Sequence, residues 1–249
     1  MARTRIVGYD VLRGLAVISM IGFHLCYDIA YIRQLPLPWF RPPFQDVWRA
    51  SISWTFLVLA GIMCSYSRNN LRRAGLYLGV ALAIFVSTTV VAVDTPISFG
   101  IIYVMGFSTL VAWLLCRFHV MPRSPRACAV VACCLFVAFV LCLGVPQGTL
   151  GLKPFGGPFV TVPTLPYASG MLSWLGFPGP TFASGDYYPP LPFTLLYLAG
   201  AVVGVALRQR GCPDWFARLS CPPLAFVGRH ALPIYLLHQP LLLVIVGVL

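Results

Sequence analysis

The chain contains no glutamate and a single lysine, Lys153. Charged residues make up only 9% of its 249 positions. A soluble globular domain carries about 25% charged residues, so that class is excluded. No basic run with interleaved aromatics lies on a polar background. The net charge of +11 is therefore read as a membrane-topology signal, and no nucleic-acid partner is expected. None of the nine cysteines is paired at metal-ligand spacing, so neither a zinc site nor a metal cofactor is expected. The N-terminus has Arg3 and Arg5 before an apolar stretch but no small-x-small cleavage site. It reads as a retained first span and not as a cleaved signal. No internal repeat is visible, which weakens a transporter built from inverted halves.

Apolar sequence fills the space these absences leave. Hydrophobic residues make up 59% of the chain, and the mean hydropathy is +0.86. Seven segments approach the roughly 20 residues that a bilayer requires: 11–32, 50–67, 74–93, 97–116, 127–145, 189–208 and 230–249. The expected fold is all-α, a polytopic membrane helix bundle with about seven transmembrane helices, forming a single transmembrane domain over 1–249. Its partner by composition is the lipid bilayer.

The cations are distributed unevenly between alternate connections. Arg3, Arg5, Arg68, Arg72, Arg73, Arg117, Arg123, Arg126, Arg208, Arg210, Arg218 and Arg229 fall on one side. Arg33, Arg41, Arg49 and Lys153 fall on the other. That is twelve against four, and the positive-inside rule places the N-terminus in the cytoplasm and the C-terminus outside. No cysteine lies in the external loops, so no structural disulfide is expected.

The first span carries ionisable groups where they are costly. At 100° per residue, Asp10, Arg13, His24 and Asp28 occupy a sector of about 60°. One polar stripe on an apolar helix faces protein or a water-filled cavity. By helical rise, His24 lies about 16 Å further along than Arg13. His24 and Asp28 are one turn apart. A carboxylate beside an imidazole suits general acid–base or nucleophilic chemistry, but the same pair could simply lock helix packing. Arg13 either pairs with Asp10 at the helix start, a contact worth little at a surface, or holds an anionic group. His238 lies mid-span, with Tyr235 one turn back. Pro240 frees a backbone carbonyl nearby. Both a structural hydrogen bond and a second site histidine fit. Arg229 and His230 mark the cytoplasmic end of that span, and His119 reads as solvated.

Residues 146–188 form a long external connection rich in Pro, Gly and aromatics. Its Pro166–Phe177 stretch, containing Trp174, is expected as a short interfacial helix. The loop serves either as a connector or as a cap whose aromatics stack on sugar rings. Asp186 and Tyr187 open the sixth span, where Asp186 is expected as its N-terminal cap.

Together these motifs resemble a known family. Tyr9-Asp10-Val11-Leu12-Arg13-Gly14-Leu15-Ala16, followed by His24 and Tyr27-Asp28, resembles the opening of bacterial homologues of the heparan-alpha-glucosaminide N-acetyltransferase catalytic domain. Phe56-Leu57-Val58-Leu59-Ala60-Gly61-Ile62 resembles its second-span signature. Phe99-Gly100-Ile101-Ile102-Tyr103 resembles another segment, with Tyr103 where the family has His. Asp186-Tyr187-Tyr188-Pro189-Pro190-Leu191-Pro192 and Gly228-Arg229-His230-Ala231-Leu232-Pro233-Ile234-Tyr235-Leu236-Leu237-His238-Gln239-Pro240 resemble the later ones. The Arg13-to-His24 spacing also resembles a wider group of integral-membrane sugar acyltransferases. The resemblance implies a multi-pass protein of a bacterial inner (cytoplasmic) membrane. It implies acetyl-CoA as cytoplasmic donor and an external sugar or glycan as acceptor, with an amino sugar such as terminal glucosamine favoured. On this reading Arg13, Asp10 and Arg229 serve the donor, and His24, Asp28 and His238 serve the chemistry. Asp186, Tyr187 and Trp174 then serve the acceptor. A homodimer is one arrangement left open. A small-molecule transporter and a non-enzymatic scaffold remain as other classes.

Overall fold

A computed structural model describes residues 6–248. Arg3, Arg5 and Leu249 lie outside the described residues. The chain divides into two compact units.

The first unit holds the chain up to Leu59 and again from Gly211. Helix α1 (Val7–Tyr27) runs into a π-turn over Asp28–Ile32, and helix α2 (Phe44–Cys64) begins within this unit. Three helices close it: α7 (Asp214–Ala217), α8 (Pro222–Arg229) and α9 (Ala231–Ile245). Two glycines set how closely α1 meets α8. A methyl group on Gly14 would land on the Leu224 carbonyl, and one on Gly228 would land on the Asp10 carbonyl. The backbones therefore touch, as small residues permit between membrane helices. Tyr9 fixes the same end. Its ring meets Phe216 edge-on at 4.9 Å, and its hydroxyl lies 3.1 Å from Cys212 Sγ. At the other end of α1, Met20 and Phe23 pack with Phe40 and Ile52. Trp48 Nε1 donates to Ser19 Oγ at 2.8 Å, which gives the indole of a part-buried Trp its partner.

The second unit spans Ala60–Arg210. It contains α3 (Asn70–Val91), α4 (Ile101–Arg117), α5 (Pro125–Cys142) and α6 (Pro190–Arg210). Asn69 and Ser124 cap α3 and α5 by accepting from Arg72 N and Ala127 N, the expected use of short polar side chains. Helix α4 packs between α3 and α6, and α5 packs on α6. The centre is a polar chain inside an apolar core. Tyr197 is fully buried, with its hydroxyl 2.6 Å from Thr109 Oγ1 and 3.0 Å from Cys64 Sγ. Thr109 gives its one hydrogen to Met105 O, so Tyr197 donates to Thr109 and the Cys64 thiol donates to Tyr197. Arg73 adjoins this chain, donating to Ala60 O at 2.9 Å and to Tyr77 Oη at 3.3 Å.

The expected apolar segments all appear as helices, but not at equal length. Five helical stretches are long and apolar enough to cross a membrane: Val7–Ile32, Phe44–Cys64, Asn70–Val91, Pro125–Gln147 and Pro190–Arg210. Helices α4 and α9 are apolar but shorter. Helix α4 starts late because the segment before it is held in turns. Tyr188 N bonds Phe99 O, and Gly185 N bonds Pro96 O. The protein is a multi-pass membrane protein, mostly helical with almost no sheet.

Two expectations for the long connection are corrected. Pro166–Phe177 is not a helix. It has one 3-10 turn over Leu165–Tyr167 and then turns. Gly170 and Gly176 adopt positive φ there (67° and 137°), and a helix does not accommodate that backbone. The connection also carries a two-stranded antiparallel hairpin, β1 (Thr149–Gly151) with β2 (Phe159–Thr161), in the register Thr149↔Thr161. Asp186 does not cap the sixth span. Its Oδ2 accepts from Ile101 N at 3.1 Å, so it caps α4. Negative charge favours a helix N-terminus, and the one Asp186 meets belongs to a helix 85 residues earlier in the chain.

Candidate functional site

The polar stripe of α1 faces protein, and the last two helices cover it. At the first turn, Arg13 Nη1 donates to Asp10 Oδ1 at 3.1 Å and to Gly228 O of α8 at 3.3 Å. The Asp10 side chain is almost buried, at 7% exposure, against 23% for Arg13. The guanidinium thus ties α1 to α8 as well as closing an i,i+3 pair. Arg229 follows Gly228 and is exposed at the end of α8. Arg229 is thus one residue from the carbonyl that Arg13 bonds.

Three turns further along α1, the stripe meets α9. His24 is half-buried, and its ring lies 4.9 Å from that of His238, at 64°. His238 is only 8% exposed. Its Nδ1 is 2.6 Å from Tyr235 O. A carbonyl cannot donate, so Nδ1 carries the hydrogen and Nε2 holds the lone pair. Asp28 is fully buried where α1 gives way to its π-turn, an irregularity often found at functional sites. Its Oδ1 accepts from Gln239 Nε2 at 2.9 Å.

His24 and Asp28 share a helix face, and both reach α9: His24 through the ring of His238, and Asp28 through the amide of Gln239. The physical reason is direction. Helical side chains lean toward the N-terminus, and consecutive residues of α9 present an imidazole and an amide to successive turns of α1. Gln239 was not singled out from sequence. The available signal was an amide beside a histidine in the middle of an apolar segment.

The residues expected to meet the acceptor lie in the second unit. Tyr187 donates its hydroxyl to Ser173 O at 2.6 Å, and its ring packs on Phe182 at 4.9 Å. Burial pushes its phenol well above the usual tyrosine range, with Tyr167 and Tyr103 adding to the effect. It therefore remains a hydrogen-bond donor at neutral pH. Trp174 packs on Phe107 at 5.9 Å, and Phe99 stacks on Phe182 at 5.9 Å. Asp186, Tyr187 and Trp174 thus belong to one aromatic-lined segment, with the Asp186 carboxylate engaged at the start of α4. An aromatic surface of this kind offers faces on which sugar rings can stack. Among the described residues no group of His, Cys, Asp or Glu is placed to hold a metal ion.

A family model described as heparan-alpha-glucosaminide N-acetyltransferase, catalytic, matches residues 5–240. No curated protein matches the chain, and no solved structure does.

Proposed function

The chain belongs to the heparan-alpha-glucosaminide N-acetyltransferase catalytic family, and from that premise we propose that it moves an acetyl group across a membrane. The donor is acetyl-CoA from the cytoplasm. The acceptor is an amine or hydroxyl of an extracytoplasmic sugar, with an amino sugar such as terminal glucosamine favoured. The membrane is a bacterial inner membrane, the chain crosses it seven times from an internal N-terminus to an external C-terminus, and a homodimer is compatible with this reading.

One observation supports the chemistry most. Two imidazoles, His24 and His238, pack edge-on at 4.9 Å within helices of a membrane protein. Ionisable side chains in membrane segments mark functional sites by default, and a second histidine is more than helix packing requires. The pair supplies the general base or, alternatively, a transient acetyl acceptor, and the Asp28–Gln239 bond joins the same two helices beside it. A transporter needs no such pair and has no reason to bind acetyl-CoA. The test is direct. Membranes containing the protein are incubated with labelled acetyl-CoA and a panel of amino and neutral sugars. Label should appear on a sugar. Donor binding without transfer to any acceptor would count against the reading, and absence of donor binding would favour transport.

The orientation has its own test. Cysteines placed at Arg72 and Arg123 in a Cys-replaced background should be labelled from the cytoplasmic side, and one at Lys153 from outside. The opposite pattern would remove the donor from the arginine-rich side.

Arg13 separates donor binding from helix docking. A guanidinium binds phosphate bidentately, whereas an ammonium acts as a point charge. If Arg13 also contacts a donor phosphate, Arg13→Lys should weaken acetyl-CoA binding despite keeping the charge, and Arg13→Ala should weaken it further. If Arg13 only joins Asp10 and Gly228, the double variant Asp10→Ala with Arg13→Ala should retain donor affinity in folded protein. Equilibrium binding on the single and double variants distinguishes the two.

A further inference from the structure

In the first unit, α9 carries two buried hydrogen-bond acceptors with no partner among the described residues. His238 Nε2 and Gln239 Oε1 are both closed to solvent and have no hydrogen-bond partner. Their orientations are fixed by the bonds their other ends make. His238 Nδ1–H is committed to Tyr235 O, which leaves a bare lone pair on Nε2. Gln239 Nε2 donates to Asp28 Oδ1, which turns Oε1 away from the carboxylate. The two residues are consecutive on α9. One meets His24 and the other meets Asp28, one turn apart on α1, so both acceptors lie along the same α1–α9 contact. A buried acceptor left unsatisfied is costly, and two on consecutive residues of one helix contact call for a ligand that brings donors.

We propose that His238 Nε2 and Gln239 Oε1 together receive the primary amine of the acetyl acceptor. The proposal rests on the acetyltransferase reading above and assigns the residues that hold the attacking group. A neutral primary amine has two N–H bonds and one lone pair. One N–H meets Nε2, the other meets Oε1, and the lone pair remains for attack. A hydroxyl has a single hydrogen and satisfies only one of the two. A carboxylate or phosphate brings no hydrogen and is repelled by both. In the transfer step the amine nitrogen bonds the thioester carbonyl carbon, and the carbon–sulfur bond breaks. The coenzyme A sulfur leaves with the bonding pair. One amine proton passes to His238 Nε2, and the imidazolium returns it to the thiolate. The products are the acetamide and the free thiol. His238 and Gln239 touch the substrate. Asp28 is a positioning residue, because its acceptor oxygen decides which end of the Gln239 amide points to the amine.

The test uses the full chain in nanodiscs with histidine labelled by nitrogen-15. The His238 signals are assigned by their loss in His238→Asn. Glucosamine, above the pKa of its amine, should shift the Nε2 resonance of His238. Glucose, with a hydroxyl in place of the amine, should shift it far less, because its single hydrogen satisfies only one of the two acceptors. Gln239→Leu should raise the KM for glucosamine about tenfold, the equivalent of one lost hydrogen bond, with donor affinity unchanged. Asp28→Asn should also raise KM, because the Gln239 amide can then flip. Acetylation of glucosamine with no change at His238 Nε2 overturns the proposal and leaves the acetyltransferase reading intact. A shift at Nε2 with no transfer to any acceptor supports the amine site and counts against that reading. No shift and no transfer, as expected if water alone fills the space, overturns the proposal.

Discussion

His24→Ala should reduce acetyl transfer by about 10²–10⁴, the range typical for loss of one acid–base group, while the protein still inserts and binds acetyl-CoA. The expectation follows from the position of the ring. His24 sits on the polar face of α1 against the buried ring of His238, so removing it takes away one half of the imidazole pair. It does not remove the contacts that join α1 to α8, which lie three turns away at Gly14, Arg13 and Gly228. Turnover of labelled acetyl-CoA and donor affinity, measured on the same preparation, separate chemistry from folding. Asp28→Asn should impair turnover less than His24→Ala, since an Asn amide still hydrogen-bonds Gln239 in either orientation. Near-normal turnover in folded His24→Ala protein would assign the chemistry to His238 alone.

Gly228→Val should lower the melting temperature more than any comparable exposed change. Overpacking a filled site costs about 1–3 kcal/mol when side chains can adjust. Here the obstacle is the Asp10 carbonyl, and helix backbone cannot move aside as a side chain does. The same displacement would pull the Gly228 carbonyl from Arg13. Gly14→Val should act in the same way, through the Leu224 carbonyl. Gly75 is the control. A methyl group there meets nothing within 4 Å, and Gly in a helix interior is destabilising by roughly 0.5–1 kcal/mol relative to Ala. Gly75→Ala should therefore hold or raise the melting temperature. Equal melting temperatures for Gly228→Val and Gly75→Ala, measured in one detergent, would show that α1 and α8 do not meet closely.

Part of this was legible in the residues. Short motifs in the right order, from Tyr9-Asp10-Val11-Leu12-Arg13-Gly14 to His238-Gln239-Pro240, carried the resemblance, and the family match covers the same stretch. The angular position of Asp10, Arg13, His24 and Asp28 showed that one face of α1 would meet protein. Helical periodicity alone fixes that, because a charge on the lipid face is too costly to leave there. Pro166–Phe177 departs from the interfacial helix that its composition suggests. Its aromatics suggested an amphipathic surface, but Gly170 and Gly176 take a positive φ that ends helical structure.

By itself, the sequence determined the membrane class, the apolar helices and the polar stripe. Each follows from local composition and period, which need no knowledge of the distant chain. Only the tertiary structure decided what the stripe meets. Asp28 bonds Gln239 across 211 residues of chain. Arg13 bonds Gly228 across 215. Asp186 caps α4 and not the helix that follows it. A buried polar group takes whichever partner the packed helices bring within hydrogen-bond reach, and that choice is set by how the helices close on one another, through contacts that no local window of sequence contains.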